Sequence, residues 1–333
     1  MKTKQKAASI WETSTPAEQQ MEGKQLALFE KELQKEKIIS CVILRNDRLV
    51  FEYFKNKKAA QKIQKINSVT KSVVSALIGI AIDQGRIPDV HVPLHTYFPK
   101  LANDPDPRKR EWTLFHLLTM TTGHDWPEWT TWNGFSHMFY SDHWVNYVLE
   151  RKVIDEPGTK MTYNTGASHL LTAVLQQATG MTALAFAEKH LFRPLGITDA
   201  FFYDDRQGIN RGGDGLRLTT MDMAKFGMLY LREGMWGKKR LISQDWVRES
   251  LKPRFTTYPH IGDYGYQWWS TLLDRDLGEE PDNRYYFALG HGGQYIILLP
   301  QYNAVACIAS EMYDASLVPM KMFREHVLPA FHE

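Results

Sequence analysis

The chain has 333 residues, of which 43% are apolar and 23% charged, and carries a net charge of +2. This length suggests one large domain or two intimately packed ones with a sizeable core, and the composition is that of a soluble globular enzyme. The small net charge excludes a field strong enough to collect nucleic acid or coat an anionic membrane.

The opening MKTKQKAASIWETSTPAEQQ lacks the apolar core of a secretory signal, and no apolar run of about 18 residues follows anywhere. The chain therefore reads as cytoplasmic, with no membrane partner. In residues 17–37, Leu26, Phe29 and Leu33 recur at helical spacing between charged positions, which predicts an amphipathic helix. SCVILRNDRLVFEYF follows as two β-rich runs around Asn46 and Asp47, a hairpin signal. The basic run Lys55 to Lys65 reads as a solvated loop.

Next comes INSVTKSVVSALIGIAIDQG. Val73, Val74, Leu77, Ile78, Ala81 and Ile82 predict a helix from Val69 to Gln84, ended by Gly85. It is apolar nearly all round and hence buried. Residues 88–250 read as helices and loops broken by prolines. YGYQWWST, YYFALGHGGQYIILLP and NAVACIASEMY then read as strands, and VPMKMFREHVLPAFH as a closing helix.

This order predicts an α+β fold: an antiparallel sheet flanked by helices and built from both chain ends, with an inserted all-helical lobe. Residues 1–87 and 251–333 would form the sheet lobe and 88–250 the helical lobe, with a substrate cleft between them. Cys41 and Cys307 each lie in an apolar run and read as buried structural thiols.

At the head of the buried helix, Ser68 and Lys71 stand three residues apart and share a face. A serine hydroxyl needs a base within hydrogen-bond reach to act as a nucleophile, and Lys71 is so placed. The same pair also fits a helix-capping serine with a lysine snorkelling to solvent. In PGTKMTYNTGASHLL, Tyr163 and Asn164 follow a Pro-Gly turn and precede a helix. In LGHGGQYIILLP, His291, Gly292 and Gly293 head a strand, where glycines permit close approach. Taken singly, Tyr163 also fits a packing aromatic and HGG a β-bulge. His91 and His95 are separated by a helix-breaking Pro93, so no metal is expected. GGDG at 212–215 lacks the residues of a phosphate loop and reads as a structural turn.

SVTK, the Tyr163 turn and HGG, in this order across nearly the whole chain, resemble the three active-site elements of the serine β-lactamase and penicillin-binding-protein superfamily. The likeness is closest to its class C-like branch of esterases, amidases and peptidases. WTLFHLLTMTTGHDW, LFRPLGITDAFFY, GGDGLRLTTMDMAKFGMLYLREGMW and YGYQWW resemble it too. The resemblance implies a β-lactamase/transpeptidase-like fold and an acylated nucleophile at Ser68. It makes Lys71 the base or proton relay, and Tyr163 the acid and then base for the leaving group. The oxyanion hole would be the backbone N–H groups of Ser68 and Gln294, with Asn164, His291, Gly292 and Gly293 in contact with substrate.

Two departures bear on the substrate. Where β-lactamases have Tyr, any residue, Asn, this chain has Tyr163, Asn164, Thr165. His291 stands where a lysine often meets the β-lactam carboxylate, and a neutral imidazole would hold that carboxylate less well. Ester or amide hydrolysis needs only the parts present. The aromatics Trp126, Trp129, Trp132, Phe135, Phe139, Tyr140, Trp144 and Tyr147 lie between the first two motifs, some in the core and some lining the cleft. An apolar acyl group or a short linear amide is the substrate expected, with no cofactor. The alternatives are a β-lactamase or D-Ala-D-Ala carboxypeptidase, and a sensor that acylates without turnover.

Overall fold

A computed structural model describes residues 11–129, 134–274, 276–278, 280 and 283–331. Trp132 and the first ten residues lie outside them. Helix α1 (Gly23–Lys35) buries Leu26, Phe29 and Leu33 as their spacing requires. It starts later than residue 17 because Gln20 is left-handed, closing a separate 3-10 turn at Ala17–Gln19. Strands β1 (Ile38–Arg45) and β2 (Arg48–Phe54) form the expected hairpin. Asn46 and Asp47 both have positive φ (51° and 60°), the primed turn that suits the right-handed twist of a two-residue hairpin.

From the C-terminal third come β3 (Phe255–Tyr258), β4 (Gly262–Tyr264), β5 (Trp269–Leu272), β6 (Arg284–Gly290), β7 (Gln294–Leu299) and β8 (Ala304–Ser310). With the first hairpin they make an antiparallel sheet of order β2-β1-β8-β7-β6-β5-β4-β3. Pairing of β1 with β8 joins the two halves of the sequence in one sheet. That register sets Cys41 opposite Ile308 and Val42 opposite Cys307, so successive side chains alternate faces and the two thiols point to opposite sides. Both are free and buried.

One face packs on α1 and the closing segment, Phe29 and Leu33 meeting Ile43, Ile297, Phe323 and Val327. The other face, with Val42, Leu44, Ile296, Leu298, Val305 and Cys307, packs on α2 (Val69–Asp83) and a later helix, Thr220–Leu231. Thr220–Leu231 lies inside the stretch assigned to the helical lobe, yet its apolar side rests on the sheet.

Helix α2 is apolar all round because it has a neighbour on every side. Beyond the sheet it meets α4 (Thr165–Thr179), itself packed on α3 (Leu114–Thr119). Gln267 explains the polar residue inside YGYQWW. It accepts from Ser72 of α2 on its backbone oxygen (2.6 Å) and from Ser168 of α4 on its side chain (2.7 Å). It also donates to the carbonyls of Leu117 (3.1 Å) and Leu118 (2.8 Å) in α3. A buried amide so satisfied fixes three helices at once. Among the described residues no single helix is long and apolar enough to cross a membrane.

Candidate active site

Ser68 is the half-buried residue that begins α2, and Lys71, three residues on, is 1% exposed. The lysine does not snorkel. Its Nζ donates to Ser68 Oγ (3.0 Å), Thr165 Oγ1 (3.0 Å) and the Gly213 carbonyl (2.7 Å), so all three ammonium donors are used. Burial is the largest influence on this amine, lowering its pKa from 10.5 to about 8 against the opposing pull of Glu128 and Asp214. Such a cost is borne by the surrounding packing: Val73, Val74, Leu77 and Ile78 are fully buried and stabilise the helix by roughly 1.5–3 kcal/mol each.

Tyr163 completes the cluster. The Lys71 Nζ lies 4.9 Å from its ring centre, which sets the phenol beside the Ser68–Lys71 pair. The ring is stacked between Trp129 (5.5 Å, 15°) and Trp269 (5.9 Å, 18°), and its backbone N–H donates to the Tyr258 hydroxyl (3.4 Å). Burial raises the phenol well above its ordinary range, with the neighbouring Ser68 acting against it. Tyr163 therefore stays protonated at neutral pH.

The HGG turn lies against the start of α2. Asn67, itself at φ 48°, donates from Nδ2 to the His291 carbonyl (2.5 Å). Gly292 and Gly293 both have φ +83°, and a Cβ on Gly293 would come within 2.4 Å of Ser310 Oγ, so glycine is demanded by conformation and space. Gln294 heads β7 with its side chain donating to the Ser310 carbonyl (2.5 Å). His291 is exposed, beside Tyr313 (5.3 Å) and Ser316. Burial of its ring and the neighbouring Lys65 lower its pKa, so it is neutral near pH 7.

Asn164 is the exception among the expected residues. It is 1% exposed, its Oδ1 capping α4 through the Ala167 N–H (2.9 Å) and its Nδ2 beside His124 (3.3 Å). The reason is register: β-region backbone at the N-cap turns Asn164 into the helix end, so Thr165 takes the position facing Lys71. Three contributors escape sequence reading. Thr165 is one. Glu128 is another: it accepts from Trp126 Nε1 (2.5 Å) and the Thr165 N–H (3.0 Å), and from the Thr165 hydroxyl in a shorter bond.

Gly213 is the third, and GGDG is therefore more than a structural turn. A Cβ there would meet Thr165 Cγ2 at 2.4 Å, so only glycine lets this backbone reach the lysine. Of the aromatics, Trp126 and Trp144 are core, Phe135 and Tyr147 half-buried, and Phe139, Tyr140 and Trp129 exposed, Trp129 at 69%.

An antiparallel sheet covered by helices on both faces, with this cluster at the head of the central helix, is the architecture of β-lactamase/transpeptidase-like proteins. The sequence model of the beta-lactamase family matches residues 28–315, and the chain belongs to that family of hydrolases. The 6-aminohexanoate-dimer hydrolase of Paenarthrobacter ureafaciens is 25% identical over 92% of this chain and 82% of its own. Two solved structures share the fold. The hydrolase EstCE1, described as having promiscuous acyltransferase activity, superposes with TM-score 0.73 at 15% identity, covering 92% of this chain and 97% of its own. The class C beta-lactamase of Rhodobacter sphaeroides gives 0.67 at 17% identity, covering 92% and 100%.

Proposed function

We propose that this protein is a serine hydrolase that acts on esters or small amides through an acyl-enzyme at Ser68. The observation that carries the reading is the buried Lys71 amine hydrogen-bonded to Ser68 Oγ at 3.0 Å, with the Tyr163 ring 4.9 Å from the same amine. With a pKa near 8, about a tenth of the amine is neutral at pH 7 and half at pH 8. The neutral amine takes the Ser68 proton as Oγ attacks the acyl carbon. The oxyanion faces the backbone N–H groups of Ser68 and Gln294, in the manner of preorganised donors. Tyr163, held protonated by burial, delivers a proton to the departing alcohol or amine. Deacylation reverses the roles, with water in place of the leaving group.

A neutral His291 and the absence of Asn164 from the cleft favour esters and short amides over β-lactams. The named substrate of the Paenarthrobacter relative, an amino-acid dimer, agrees with a linear amide. The experiment is turnover of a p-nitrophenyl ester series, a 6-aminohexanoate dimer and a chromogenic cephalosporin, with intact-mass measurement of the protein. Ester or amide turnover with a transient acyl adduct, both lost in Ser68→Ala, is expected. Ser68→Ala retaining most of its turnover overturns the reading. Fast cephalosporin cleavage makes the protein a β-lactamase, and a lasting adduct without turnover makes it a sensor.

A further inference from the structure

Glu128 has no part in the steps above, yet it is bound to the cluster at short range. Its carboxylate accepts from both the N–H and the hydroxyl of Thr165. With its own hydrogen committed to Glu128, the Thr165 hydroxyl can only offer a lone pair to Lys71, whose Nζ donates to it at 3.0 Å. A threonine hydroxyl otherwise rotates freely between donor and acceptor roles. The same carboxylate, half-buried, also accepts from Trp126, which fixes its direction.

Resting on the reading of Ser68, Lys71 and Tyr163 as the acyl-transfer centre, we propose that Glu128 is a positioning residue for Lys71. Acting through the Thr165 hydroxyl, it aims the amine at Ser68 Oγ and supplies the nearby negative charge that offsets its burial. The groups facing Lys71 are Ser68 from α2, Tyr163 and Thr165 from the turn into α4, Glu128 from the loop before it, and the Gly213 carbonyl with Asp214 from the glycine turn. Tyr264 of β4 and Tyr258 of β3 stand behind Tyr163. Asp214 is engaged by Arg211 through Nε (3.1 Å) and a shorter second bond. Glu128 is thus the carboxylate joined to the amine through a single hydroxyl.

The test titrates Lys71 directly, by the 13Cε resonance of lysine-labelled protein assigned from its absence in Lys71→Arg. In Glu128→Gln the midpoint is expected to fall by about half a pH unit or more, and the acidic limb of kcat/KM for a p-nitrophenyl ester to move down with it. Thr165→Val keeps the charge but removes the hydroxyl, and should lower kcat roughly ten- to a hundredfold. KM should stay within about threefold, and Thr165→Ser should restore kcat. A carboxylate that merely tethers the loop would change KM or thermal stability and leave the titration alone. An unmoved Lys71 midpoint in Glu128→Gln overturns the proposal. If that variant does not fold, an undiminished kcat in Thr165→Val does so. Because the titration does not depend on turnover, it reads on Glu128 even if Ser68→Ala shows the acyl-enzyme reading to be wrong.

Discussion

Replacing Lys71 by methionine separates what the lysine costs from what it does. The folded chain holds this amine at a pKa of about 8 and the unfolded chain at about 10.5. At about 1.4 kcal/mol per unit, the native state at pH 7 therefore carries a penalty of about 3 kcal/mol for keeping a buried ammonium. Methionine has similar length and no charge, so Lys71→Met removes the penalty. It also leaves the buried Gly213 carbonyl without its donor, at a cost of roughly 1–3 kcal/mol.

At pH 7 the two effects nearly cancel. Between the two pKa values the unfolded chain binds the proton that the folded chain has released, so wild-type stability rises with pH across this interval. The variant lacks the group and does not follow. Urea unfolding of both proteins at pH 7, 9 and 10.5 should show wild type gaining about 3 kcal/mol on the variant, while the variant hydrolyses no ester at any of these pH values. Parallel stability curves would refute the assignment of a depressed lysine here, since tyrosines and cysteines titrate alike in both proteins and drop out of the difference.

Asn164→Ala should cost about 1 kcal/mol of stability through the lost helix cap while KM for an ester stays unchanged. A large rise in KM would return Asn164 to the substrate. His124 is buried beside Thr122 and Asn164, and burial lowers its pKa from 6.5 to about 3. The unfolded chain takes up this proton first, so stability should fall as pH drops from about 6.5 towards 3. His124→Gln should flatten that limb in an unfolding titration by circular dichroism, and an unchanged limb would count against the buried neutral ring.

The sheet was legible because alternation and turn residues are local signals: Asn46-Asp47 fixes a hairpin, and a two-sided apolar pattern demands helices on both faces. Ser68, Lys71, Tyr163 and the HGG turn stood out through their motifs, and the structure brings them together. Thr165, Glu128 and Gly213 were not, because each acts through a contact made between distant parts of the chain. Glu128 lies 37 residues from Thr165, and Gly213 142 from Lys71. Asn164 turns into the helix end for a local reason. A Tyr-Asn pair before a helix reads equally as a substrate-facing amide or as a cap, and only the backbone at residue 164 decides. The packing of the helix Thr220–Leu231 on the sheet was not legible, because its composition is the same whether it covers a sheet or other helices.

The Asn67 side chain ties the residue before the serine to the carbonyl of His291, while Phe139 and Tyr140 stand exposed on the short helix Phe135–Tyr140, outside the hydrogen-bonded cluster. The HGG turn is tied to the residue beside Ser68 and the short helix is not. Laboratory selection for new substrates is best spent on Phe139 and Tyr140, exposed side chains outside that cluster. A change at residue 67, by contrast, would disturb the start of the Ser68 helix and the HGG turn together, leaving no partial gain on which selection could build.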